Sequence, residues 1–210
     1  MRDGTDREQG ITGQAAGRQA EISRETGETR IRVRVGLDGP ARADIGTGVG
    51  FFDHMLDLLA RHAQVDLSVR AEGDLHVDAH HLVEDTGLAL GQALALALGD
   101  KRGIRRYGSA RIPMDEALAQ VDLDLSGRPF LRFEGDLGPG STGAFDPQLA
   151  EEFFRAVAFQ AGITLHMEIR TGRNTHHIIE ALFKGFARAL REAASPDPRE
   201  SGIPSTKGIL

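Results

Sequence analysis

Apolar and polar residues alternate along four stretches of the chain. They are Ile31, Val33, Val35 and Leu37; Val65, Leu67 and Val69; Val121, Leu123 and Leu125; and Ile163, Leu165, Met167 and Ile169. A period of two marks a strand with one buried face. Helical patterning runs over 51–62 and 149–161, each ahead of a strand, and over 80–98 and 176–190, each opening on a His-His pair. In the last two helices Val83, Leu90 and Leu94 match Ile179, Phe186 and Leu190 in spacing, which makes one apolar stripe facing a core.

The order repeats. His80-His81-Leu82-Val83-Glu84 recurs as His176-His177-Ile178-Ile179-Glu180, 96 positions on (176 − 80). Upstream, Glu28 precedes a strand ending at Gly39-Pro40, and Glu116 stands equally far ahead of Gly127 in the other copy. A period of this kind signals a duplicated unit. Each half reads strand, strand, helix, strand, a further short strand, helix. The expected fold is therefore α+β, an internally duplicated domain of two similar halves, 22–103 and 104–194. Each half carries a mostly antiparallel four-stranded sheet with helices on one face. Residues 1–21 are polar and without periodicity, and read as a flexible leader. Residues 195–210 hold Pro196, Pro198, Pro204, Gly202 and Gly208, which exclude helix and predict an extended tail.

Composition narrows the function. The chain of 210 residues has no cysteine, which excludes disulfides and thiolate metal sites. It has neither an apolar run of membrane-spanning length nor an apolar signal core, so the expected location is the cytoplasm. A net charge of −6 argues against general nucleic-acid binding.

The histidines carry the chemistry. On a helix, positions i and i+4 share a face, whereas i and i+1 diverge by about 100°. His80 with Glu84, and His176 with Glu180, can therefore each grip one ion, while His81 and His177 would serve another. Imidazole and carboxylate together suit Mn, Fe or Zn better than Mg or Ca. The repeat also equates His54 with Glu152, so both are candidate ligands. His62 lies two turns after His54, near the same face. His76 and His166 read as strand-surface and structural residues. Arg105, Arg106, Arg128, Arg173, Lys184 and Lys207 supply cations, and Ser205-Thr206-Lys207-Gly208 offers hydroxyls and free backbone N–H groups. Together they suit a phosphate monoester. The chain contains no P-loop pattern.

These residues resemble a known family from about Arg24 to Leu210. The carrying motifs begin with Arg24-Glu25-Thr26-Gly27-Glu28-Thr29, Phe52-Asp53-His54-Met55-Leu56 and Asp78-Ala79-His80-His81-Leu82-Val83-Glu84-Asp85. Leu125-Ser126-Gly127-Arg128-Pro129, Asn174-Thr175-His176-His177-Ile178-Ile179-Glu180-Ala181 and Pro204-Ser205-Thr206-Lys207-Gly208 follow. The family is imidazoleglycerol-phosphate dehydratase. The resemblance implies a hydro-lyase of histidine biosynthesis that converts imidazole glycerol phosphate to imidazole acetol phosphate with two Mn2+ per active site. It also implies a homo-oligomer, a shell of 24 subunits with sites between them. By resemblance, His54, His80, His81, Glu84, His176, His177 and Glu180 match metal ligands, and Glu152 stands where the family's eighth ligand is often histidine. Glu28, His54 and Glu180 form the catalytic set. Glu28, His62, Arg106, Arg128, Lys184, Ser205, Thr206 and Lys207 meet the substrate, which gives the tail a place in the site. Two alternatives stand beside this: a dimetal phosphohydrolase, and a non-enzymatic metal-binding shell protein.

Overall fold

The structure is a computed structural model, and it describes residues 11–15, 17–140 and 142–210. Each alternating stretch is a strand. Those two centre strands, β3 (Thr29–Gly36) and β7 (Ala117–Asp124), bury every second side chain: Thr29, Ile31, Val33 and Val35 in one, Ala117, Ala119, Val121 and Leu123 in the other. β5 (Asp66–Gly73) and β9 (Thr164–Thr171) flank them antiparallel.

The first sheet also contains β1 (Ile11–Ala15), β2 (Gln19–Glu25) and β4 (Ala43–Gly46), in the order β1-β2-β3-β5-β4. The second adds β6 (Tyr107–Met114) and β8 (Phe130–Glu134), in the order β6-β7-β9-β8. The helices are α1 (Gly50–Ala63), α2 (His80–Leu98), α3 (Leu149–Ala161) and α4 (Thr175–Ala194). Apart from β1, which gives the first sheet a fifth strand where four were expected, each half runs strand, strand, strand, helix, strand, helix, and the duplication is borne out.

Three details differ from the sequence reading. Both sheets are mixed, because the edge strands β4 and β8 pair parallel with β5 and β9. A parallel edge needs a crossover, and α1 and α3 supply it. The short strand of each half is this one, placed before the first helix rather than before the second; His76, read as a strand-surface residue, lies exposed in a turn over 75–77. Finally, part of the stretch expected to be a flexible leader is folded, since Ile11–Ala15 and Gln19–Glu25 form a hairpin. Residues 1–10 of that leader lie outside the described residues.

The helices lie between the two sheets. α2 covers β2 and β3, α4 covers β6 and β7, and each packs against a helix of the other half, α1 on α4 and α3 on α2. Val83, Leu90, Leu94, Ile179, Phe186 and Leu190 are all buried in one continuous core. The helix ends are duplicated too. α1 and α3 stop at left-handed caps, Gln64 (φ 56°) and Gly162 (φ 64°), whose N–H groups bond Ala60 O and Ala158 O. α2 and α4 start where Asp78 and Asn174 accept the backbone N–H of His80 (2.7 Å) and His176 (2.9 Å). Both His-His pairs are therefore fixed at the first turn of a helix. Among the described residues no helix is long and apolar enough to cross a membrane.

Candidate metal centre and anion pocket

Because α1 lies on α4, His54 meets the second motif. One ligand atom each of His54, His176 and Glu180 lies within 4.8 Å of the others. His176 Nε2 is 3.1 Å and His54 Nε2 3.6 Å from Glu180 Oε2. Two imidazoles and a carboxylate converging on one point fit a divalent transition ion. Glu180 is buried, and burial works to raise its carboxyl. Lys184, whose Nζ donates to Oε1 at 2.6 Å, together with His176 and His54 outweighs that and holds Glu180 below the usual carboxylate value.

The first motif forms the matching pair, with His80 Nε2 3.8 Å from Glu84 Oε2. Glu152, on α3, stands where the pseudo-symmetry puts His54. Its carboxylate lies 3.8 Å from Arg155, and it belongs to neither group of converging donors among the described residues.

His81 and His177 turn away from their neighbours, with interplanar angles of 83° and 81°. Each meets carboxylates on the turns at the sheet ends. His81 Nδ1 lies 3.1 Å from Asp74 Oδ2 and 3.6 Å from Glu28 Oε2, and these three residues form the second group of converging donors. His177 Nδ1 lies 2.7 Å from Glu116 Oε2, while Glu116 Oε1 accepts the backbone N–H groups of Asn174 (2.8 Å) and Arg173 (3.1 Å). The hydrogen bond to Asp74 raises the His81 imidazole, and that to Glu116 raises His177. In return His177, then the two backbone donors, hold Glu116 down at about 2.

The turn carrying Glu28 is pinned from below. Buried Asp85, one residue past the first motif, accepts Arg24 Nε at 2.8 Å and the Thr29 hydroxyl, and Thr26 Oγ1 accepts the N–H of Glu28 and Thr29. Glu28 itself is 58% exposed.

The basic set divides in two. Lys184 and His62 stand by Glu180, and there burial, then the charges of Lys184 and Arg188, lower the His62 imidazole. Arg106, Arg128 and the tail residues Ser205, Thr206 and Lys207 instead line a pocket of about 850 Å3. Asp124 organises it, accepting Arg106 Nε at 2.7 Å and Nη2 at 3.1 Å and lying 3.7 Å from Arg128 Nη2. Arg106 Nη1 donates to Pro204 O at 2.7 Å and so ties the tail down. The backbone of Arg106 is left-handed (φ 74°), a conformation that costs a residue with a Cβ about 1 kcal/mol. Strain held at a ligand clamp is a common feature of functional sites. Arg105 faces Glu192, and Arg173 contributes its backbone to Glu116, so neither joins this pocket.

Sequence reasoning missed Asp74, Asp85 and Asp124, and treated Glu116 only as a marker of the repeat. For Glu116 a signal existed: its twin, Glu28, was a candidate, so its own position against His177 followed from the same duplication.

Comparison with known proteins places the chain in a family. The family model for imidazoleglycerol-phosphate dehydratase matches residues 47–190. The imidazoleglycerol-phosphate dehydratase of Symbiobacterium thermophilum is 60% identical over 206 residues, covering 98% of this chain and 99% of that protein. That of Acetivibrio thermocellus is 58% identical over 193 residues, with 92% and 99% covered. Among solved structures, the Staphylococcus aureus dehydratase superposes with a TM-score of 0.77 at 42% identity, over 85% of this chain and 99% of that one. The enzyme from Pyrococcus furiosus gives 0.78 at 36%, over 90% and 99%. On these grounds the chain belongs to the imidazoleglycerol-phosphate dehydratase family.

Proposed function

We propose that this protein dehydrates imidazole glycerol phosphate to imidazole acetol phosphate, in the cytoplasm, using two Mn2+ ions per site. The observation that carries the reading is the meeting of His54 with His176 and Glu180, donors from two halves, in a chain of this family. His80, His81, Glu84, His177 and Glu152 complete the proposed ligand set. Bound there, the ions supply Lewis-acid stabilisation of negative charge on the imidazole ring.

The chain's own residues do the remainder. The reaction removes a hydroxyl from the carbon beside the ring and a proton from the next carbon, and the resulting enol becomes the ketone. Glu28, exposed and 3.6 Å from His81, is free to move protons within hydrogen-bond reach of a ligand at that imidazole. Lys184 keeps Glu180 ionised beside its histidines. Arg106, Arg128, Ser205, Thr206 and Lys207 bind the phosphate, and that binding energy orients the reacting carbons. His62, lowered toward the neutral form, borders the ring end of the site.

The proposed ligands do not all converge within one chain: His54, His176 and Glu180 form one group, while His81 points to another. A site that gathers all of them requires further copies, which supports a homo-oligomer with sites between subunits, 24 in number by the family resemblance.

The test is turnover by the metal-stripped protein before and after Mn2+ is restored. Mn-dependent formation of the ketone without release of inorganic phosphate is the expected result. Phosphate release would favour a dimetal phosphohydrolase, and metal uptake without turnover a metal-binding shell.

A further inference from the structure

The two halves place a glutamate at equivalent positions but leave it with different neighbours. Glu116 is 2.7 Å from His177 Nδ1 and also accepts two backbone N–H groups, so both its oxygens are engaged. Glu28, its twin, is 3.6 Å from His81 Nδ1, beyond hydrogen-bond range, and 58% exposed. Asp74 takes the place beside His81, at 3.1 and 3.3 Å from Nδ1, and is 18% exposed. The register of β5 and β9, shifted by one residue between Leu118 and Ala119, makes Gly172 the counterpart of Gly73 and Arg173 the counterpart of Asp74. The two glycines have matching surroundings, Leu82 and Thr29 around Gly73, Ile178 and Ala117 around Gly172. Arg173 brings no carboxylate and gives its backbone N–H to Glu116, so in the second half Glu116 takes Nδ1 of His177, while Asp115 stays 3.8 Å from Nε2, beyond hydrogen-bond range.

From this asymmetry we infer that Asp74 and Glu116 are positioning residues that hold His81 and His177 with the proton on Nδ1 and the Nε2 lone pair free, and that Asp74 thereby releases Glu28 for proton transfer. A carboxylate can only accept, so the nitrogen facing it must carry the proton. A histidine fixed in this way presents the other nitrogen to a metal, and loss of such a partner typically lowers metal affinity about 10–100-fold. The two glutamates, alike by descent, have divided their labour: one orients a ligand and the other is left for chemistry.

This inference rests on the metal-centre reading, but its first test needs neither metal nor substrate. Long-range 15N–1H correlation spectra of the metal-free, 15N-histidine-labelled protein, followed upward from about pH 8, where ordinary imidazoles are neutral, until His81 and His177 are neutral as well, report the tautomer of each ring. His81 and His177 should both be Nδ1–H. Glu116→Gln can keep its oxygen on the backbone N–H groups while its amide NH2 faces Nδ1, and so should invert His177 to Nε2–H with the fold intact. This is the wrong-tautomer effect that follows when an amide replaces a carboxylate beside a histidine. Asp74→Asn should do the same to His81. In calorimetric titration each variant should lose about 10–100-fold in Mn2+ affinity. Glu28→Gln should leave the His81 tautomer and Mn2+ affinity as they are while abolishing turnover. Nε2–H rings in the unsubstituted protein, or Glu116→Gln and Asp74→Asn proteins with unaltered Mn2+ affinity, would overturn the inference. Correct tautomers in a protein that fails to dehydrate the substrate would overturn the functional reading instead.

Discussion

At the scale of single residues, the ligand candidates were legible because a duplicated His-His-x-x-Glu pattern leaves little room for chance. Their carboxylate partners were not, because nothing in a period of two or 3.6 marks Asp74 or Asp85; only the folded turns bring them to His81 and to Arg24. Those partners set the pH behaviour. In the metal-free protein Glu116 sits at about 2 against an ordinary 4.5, and His177 lies above its ordinary 6.5. On the acid side the pair's contribution to stability is present above 4.5 and is lost as pH falls towards 2. On the basic side it is full below 6.5 and is lost as pH rises through the raised histidine value. Metal uptake runs the other way, because a ligating imidazole must first give up its proton. Titration of stripped protein with Mn2+ should therefore show affinity climbing from about pH 5.5 to about pH 8. The climb should centre above the ordinary histidine value, since Asp74 and Glu116 hold His81 and His177 charged for longer. An affinity that is flat over this range would rule out histidine ligation of the kind proposed.

At the scale of elements, the strands and helices with a strong apolar period were found at or near their ends; α3, read as 149–161, is Leu149–Ala161. The short edge strands were missed. β4 has four residues, half-buried or exposed throughout, and β8 alternates only between exposed and half-buried, so neither carries a core-facing face to read. Also hidden was how closely α2 and α3 approach. A Cβ on Gly91 would stand 2.7 Å from both Val157 O and Gln160 Cβ, and one on Gly87 would be 2.8 Å from Ala156 Cβ. The contact matters to the site because α2 carries His80 and Glu84 and α3 carries Glu152. Two effects compete in Gly91→Ala. Alanine gains about 1 kcal/mol in helix propensity, but a methyl forced against backbone in a packed core costs about 1–3 kcal/mol. The obstacle includes a carbonyl oxygen that cannot rotate away, so the clash should win. A lowered urea midpoint for Gly91→Ala is expected, by about 1 kcal/mol net. Gly50→Ala, at a helix start with open space around it, should be neutral or better. A stabilised Gly91→Ala protein would mean that α2 and α3 can separate freely.

At the scale of the whole molecule, the duplication was readable but its consequence was not. Periodicity says which face of a helix is buried, never which helix it is buried against, and here each helix packs across the halves, α1 on α4 and α2 on α3. That exchange is what delivers His54 to His176 and Glu180, so neither half alone holds this group of converging donors. The same reasoning extends beyond one chain. His54, His176 and Glu180 converge, His80 and Glu84 form a looser pair, and His81 and His177 project toward the sheet-end turns. If copies of the chain complete one another's coordination, metal and assembly are linked, since an ion that binds only the assembled state stabilises it by mass action. Free Mn2+ at 100 times its dissociation constant would contribute about 2.7 kcal/mol per site. Light scattering and thermal unfolding, run on stripped and on Mn-restored protein, should show a larger particle and a higher, concentration-dependent Tm with metal. His81→Ala should lower the particle mass although His81 lies outside the His54 cluster, because it removes a ligand offered to a neighbour. A stripped protein of unchanged mass and Tm, or a monomer that takes up two Mn2+ at full affinity, would show that each chain closes its own site, and the argument for shared coordination would fail.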